Sequence, residues 1–107
     1  MARYFNITGA SSAAAELTRE LLAAGSGVIV SKISLTNIHA TTACTVDLYI
    51  EKKLTGKFYL LKGVELPVGT TLIYDNMEFN NSGGEFGLYL KLNKSASETP
   101  SVDVILQ

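Results

Sequence analysis

The stretch ISLTNIHATTACTVDLYI, residues 33–50, decides how the chain is read, because it holds the only histidine and the only cysteine, His39 and Cys44, inside an alternation of apolar and polar residues. Two readings compete, a reactive pair or a turn between two strands. Side chains alternate across a strand with period two. If Val46, Leu48 and Ile50 face inward, Cys44 shares their face and behaves as a small hydrophobe. His39 then falls in the connecting HATT. A Cys/His nucleophile pair needs both groups within hydrogen-bond reach and a third group to orient the base. A zinc-type set would need further ligands, and no second histidine exists. The stretch is therefore expected to be strand, turn, strand, with no catalytic residue, no cofactor site and no metal site.

The same alternation runs outward from there. From residue 29, Ile29, Ser31, Ile33 and Leu35 fall on one face, and Val30, Lys32, Ser34 and Thr36 on the other. Val46, Leu48 and Ile50 alternate with Asp47, Tyr49 and Glu51. Phe86, Leu88, Leu90 and Leu92 alternate with Gly87, Tyr89, Lys91 and Asn93. Val102, Val104 and Leu106 alternate with Asp103, Ile105 and Gln107. Turn chemistry separates the runs: GSG at 25–27, LTGK at 54–57, PVG at 67–69 and NNSGG at 80–84. Pro67 has no N–H to give to a ladder, which places its segment at an edge or a bulge. KFYLLKG, apolar on both parities, reads as sandwiched or at a contact. Short strands with frequent turns predict an all-β fold, an antiparallel β-sandwich of jelly-roll-like type.

SSAAAELTRELLAAG at 11–25 resists this pattern. It is rich in helix formers, offers Ser12 as an N-cap, spaces Leu17 and Leu21 four apart and closes on Gly25. A strand from about Glu16 to Ala23 would instead add to the sheet. The residues leave both open, so the chain divides into 1–27, a short helix, first strand or arm within the same domain, and 28–107, the sandwich core.

Size permits one domain. Surface scaling for 11.5 kDa gives roughly 5,800 Å² exposed when folded against about 16,700 Å² unfolded, enough for a core without disulfide staples. Nine basic and ten acidic side chains leave a net charge of −1, which offers no long-range attraction to nucleic acid or to an anionic membrane. MARYFNITGASS lacks the apolar run of a signal peptide, and no stretch reaches the ~18 apolar residues of a membrane helix. Hydrolase, phosphate-loop and calcium-loop motifs are missing from the sequence, and with no tryptophan a sugar platform has little to build on.

What remains is the outward parity. Tyr49, Tyr89 and Ile105 fall on the non-core side of their strands, and Tyr59 and Leu61 share one parity of KFYLLK. Aromatic residues bury large area at small entropic cost, so these five are the protein-contact candidates. EKKLTGK with Lys62 gathers Lys52, Lys53, Lys57 and Lys62 around one hairpin, which reads as a solvated tip that keeps an edge from pairing with strangers.

VSKISLTN at 30–37, TVDLYI at 45–50, FYLLKGVELPVGTTL at 58–72 and GEFGLYLKL at 84–92 resemble small virion structural proteins of tailed bacteriophages, of the marine and cyanobacterial phage type. The resemblance covers about residues 28–107 and implies a β-sandwich without enzymatic activity, made in the host cytoplasm and carried in the virion. It implies other virion proteins as partners: the major capsid protein for a head decoration or cement protein, neck or tail proteins for a neck, tail or fibre-attachment component. It further implies a homo-oligomer, such as the trimers of related decoration proteins. A carbohydrate- or receptor-binding sandwich is the rival from another class, and it would need exposed rings in a concave site.

Overall fold

Ten strands are formed by the residues that the computed structural model describes, which are 3–8, 16–52, 56–77, 79–80, 86–93 and 99–107. They are β1 (Arg3–Thr8), β2 (Glu16–Leu22), β3 (Ile29–Val30), β4 (Ile33–Asn37), β5 (Cys44–Lys52), β6 (Gly56–Leu66), β7 (Thr71–Tyr74), β8 (Phe79–Asn80), β9 (Gly87–Asn93) and β10 (Ser101–Leu106). The antiparallel pairs β1·β10, β2·β9, β3·β8, β4·β7 and β5·β6 are nested one inside another, so the chain is a single long ribbon doubled back between β5 and β6. Two further pairings, β10·β4 and β5·β9, roll that ribbon up. The result is a first sheet of order β1-β10-β4-β7, a second of order β2-β9-β5-β6, and a small β3-β8 pair. Eight strands wound this way in two sheets are a jelly roll, the sandwich expected from the alternation.

The core lies between the sheets. From the first come Ile7, Ile33, Leu35, Val102, Val104 and Leu106; from the second come Leu22, Val46, Leu48, Leu88, Leu90 and Leu92, all buried in one cluster. Each fully buried side chain of this kind contributes about 1.5–3 kcal/mol of apolar transfer. Val30, Met77 and Phe79 join the same cluster from the β3-β8 region. Cys44 is buried among them, on the inward parity of β5.

Three departures from simple alternation share one cause, the β-bulge, in which an extra residue resets the parity of a strand. Residues 29–36 are not one strand: the N–H groups of Ser31 and Lys32 both donate to the Gln107 carbonyl, at 2.9 and 3.0 Å, and the parity slips there. Val30 is therefore buried and Ile29 exposed, the reverse of the sequence expectation. In β6 the pairing passes from Leu48↔Leu61 to Tyr49↔Tyr59, leaving Leu60 extra, so Leu60 and Leu61 both pack on the core. KFYLLKG is apolar on both parities because of that bulge and not because both faces are covered.

The third bulge decides the N-terminal segment. Glu20 pairs with Tyr89 and Leu22 with Leu88, leaving Leu21 extra, and both leucines are buried. Of the two readings left open for 11–25, the strand from about Glu16 is the one found: β2 runs Glu16–Leu22, residues 23–25 lead into a turn, and Ser12, with the rest of 11–15, lies outside the described residues. Of residues 1–27, the described strands β1 and β2 each take an edge place in one of the two four-stranded sheets. Intrinsic propensity is a weak prior of tenths of a kcal/mol per residue, and burying two leucines against β9 outweighs it.

Candidate protein-contact faces

The outer face of the second sheet carries an aromatic row across three strands, β9, β5 and β6, that ends at Glu20 on β2. The Tyr89 hydroxyl on β9 donates to Glu20 Oε2 on β2 at 3.0 Å. Tyr89 stacks on Tyr49 of β5, with centroids 5.5 Å apart and planes 10° apart. Tyr49 meets Tyr59 of β6 edge-on at 5.4 Å. Lysines lie on this row: Lys57 Nζ is 4.8 Å from the Tyr49 ring centroid and Lys62 Nζ is 4.5 Å from that of Tyr59. Cross-strand ring pairs contribute about 0.5–1.5 kcal/mol each beyond their area. Tyr49 is left only 2% exposed although it points away from the core.

Gly87 makes room for the row, since a Cβ there would stand 3.0 Å from both the Tyr89 ring and the Leu22 carbonyl. Desolvation raises the Tyr89 pKa above its ordinary value, and the hydrogen bond and negative charge of Glu20 push it the same way, with smaller contributions from Glu51 and Tyr49. Beside the row, Asp47 is 1% exposed. Its carboxylate accepts the Gly63 N–H at 2.7 Å and lies 3.4 Å from Lys62 Nζ. Gly63 has φ +62°, which lets the β6 bulge aim its N–H at that carboxylate.

Of the five residues expected to make contacts, this face brings together Tyr49, Tyr59 and Tyr89. Leu61 does not belong with them: it pairs with core Leu48, and the Leu60 bulge has turned it inward. Ile105 is on the other sheet, paired with Tyr4 and Ser34. Lys57 and Lys62, expected at a solvated tip, are exposed and also lie over rings; Lys52 is 6.0 Å from the Phe86 ring centroid, while Lys53 is outside the described residues. With Lys57 and Lys62 over Tyr49 and Tyr59, those rings are satisfied from within the chain.

The outer face of the first sheet is different. The pairing register aligns Tyr4, Ile105, Ser34 and Ile73 in one uncharged row across β1, β10, β4 and β7. Tyr4 is 72% and Ile73 52% exposed. The neighbouring row is polar and internally bonded: Asn6 Nδ2 donates to Asp103 Oδ1 at 2.7 Å, and Thr36 and Thr71 hydroxyls meet at 2.8 Å. Parity alone marked Ile105, but Tyr4 and Ile73 could be joined to it only through strand pairing.

The opening stretch resolves as a built turn. Asn37, at the inward parity of β4 and fully buried, donates from Nδ2 to the carbonyls of Leu66 (2.9 Å) and Thr42 (3.1 Å), and its Oδ1 accepts the His39 N–H at 2.9 Å. His39 Nδ1 accepts the N–H groups of Thr41 and Thr42 at 3.1 and 3.0 Å, so that nitrogen carries no proton. The Asn37 backbone is also bonded to the turn 67–70, through Thr70 and Gly69. A polar residue at an inward position was the sequence signal for this node. Among the described residues, no group of three or more His, Cys, Asp or Glu side chains is placed to hold a metal.

No protein-family model matches the chain, and no curated protein does. Among solved structures, it is similar to a chain in the structure of infectious bursal disease virus, Gx strain, at 14% identity and a TM-score of 0.46. The match covers 100% of this chain and 32% of that one, so this chain spans about a third of the length of its neighbour.

Proposed function

We propose that the chain is a non-enzymatic structural protein of a tailed-phage virion that decorates or cements the head, and that it seats on its neighbours through the outer face of the first sheet. The observation that carries the reading is the contrast between the two outer faces. One is an aromatic row with its own lysines over Tyr49 and Tyr59, and the other an uncharged row with Tyr4 and Ile73 more open to solvent than Tyr59. The jelly-roll winding, an architecture of capsid and lectin domains among others, and the resemblance of residues 28–107 support the same reading. Such a part works mechanically, because many modest contacts repeated over a closed shell add to a stable assembly.

Mass spectrometry of purified particles, with heads and tails separated, tests it. The chain is expected in the head fraction; recovery with necks or tails would move its station, and absence from both fractions would refute a virion role. Particles assembled with the double substitution Tyr4→Ser, Ile73→Ser should carry fewer copies, and those with Tyr59→Ser an unchanged number.

A further inference from the structure

A sheet edge is a row of unpaired N–H and C=O groups that will accept another strand unless something prevents it. Of the four outer edges of the two four-stranded sheets, three carry such a device. The β2 edge has the Leu21 bulge and exposed Arg19 and Glu20. The β6 edge has two register shifts and exposed Lys57, Lys62 and Glu65. The β7 edge is only four residues long and ends against Asp75. β1 has none over Tyr4–Thr8: its pairing with β10 runs without a shift, and YFNIT contains no charge, proline or glycine.

From this contrast we infer that β1 pairs with β1 of a second copy of this chain, antiparallel about a twofold axis, joining two first sheets into one eight-stranded sheet. Self-pairing is isologous, and the strand's own sequence selects its centre. Centred on Asn6, the pairing sets Phe5 against the partner's Ile7 on the inward side and Tyr4 against the partner's Thr8 on the outward side. Arg3 falls outside the paired window, so no like charges meet. Shifting the centre to Phe5 or Tyr4 would bring the Arg3 guanidinium opposite the partner's Ile7 or Phe5. Arg19 lies 5.3 Å from the Phe5 ring, capping the inward side of the edge, and among the described strands β1 pairs with β10 alone. The uncharged outer row then continues through Tyr4 into the second copy.

Five residues at about 3.4 Å each make a contact of about 17 Å, smaller than a standard interface. The dimer is therefore weak on its own. Sedimentation velocity from about 1 µM to about 500 µM should show wild-type mass rising toward two chains, as expected for a dissociation constant in the upper micromolar range. Asn6→Lys keeps an exposed partner for Asp103 but sets like charges opposite each other at the twofold, and should remain a monomer throughout; Thr18→Lys on the β2 edge should dimerise as wild type does. Under oxidation Asn6→Cys should give a covalent dimer and Thr8→Cys should not. A wild-type monomer at the highest concentration, a dimer unaffected by Asn6→Lys, or equal cross-linking of the two cysteine variants would overturn the inference. None of those results bears on whether the chain is found in particles.

Discussion

Replacing Asn37 by alanine should be among the most damaging single changes to this fold, although it removes no apolar surface. The side chain makes two donor bonds, to the carbonyls of Leu66 and Thr42, and one acceptor bond from the His39 N–H. Each is worth about 1 kcal/mol net, and a buried carbonyl left unpaired adds about 1–2 kcal/mol, so the expected loss is about 4–5 kcal/mol. That is a large share of the 5–15 kcal/mol that typically holds a domain together. At roughly 4–8 °C per kcal/mol for a domain of this size, the thermal midpoint should fall by about 16–40 °C. Urea unfolding, followed by circular dichroism, should show the midpoint drop with its slope unchanged. Asn37→Asp sharpens the test. It keeps the shape and the acceptor for His39 but sets a carboxylate against two carbonyl oxygens, so at neutral pH it should cost at least as much as alanine. If either variant loses less than about 1 kcal/mol, the hydrogen bonds are not what fastens the loop 38–43 and the turn 67–70 to the sandwich, and the reasoning fails.

Two further outcomes follow from the tyrosine row. Tyr49→Ala should cost about 2–4 kcal/mol in the same urea assay, because it removes a ring buried between two others; a loss below about 0.5 kcal/mol would mark the row as decorative. The raised Tyr89 pKa gives a signed pH effect. Below the unfolded value near 10 its contribution is fully present, and stability is lost as pH rises from there through the folded value, where the native state still holds the proton. The stability difference between wild type and Tyr89→Phe should therefore narrow above pH 10, and a difference that widens there would contradict the Glu20 hydrogen bond.

What the sequence determined by itself was everything that depends on neighbours along the chain. Period-two alternation follows from the pleat, so β4, β5, β9 and β10, their inward faces, the inward Cys44 and the turn at His39 were legible from residues alone. Tertiary structure decided whatever depends on which strand lies alongside which. Leu21–Leu22 and Leu60–Leu61 each place two adjacent leucines on the core, and only pairing with β9 and β5 introduces the bulges that allow it. Pairing with β9 also turned a helix-prone segment into β2, and pairing of β10 with β1 and β4 set Ile105 on the opposite sheet from Tyr49. A strand's parity is a local steric property, whereas its register is fixed by contacts between residues as far apart as Tyr4 and Ile105.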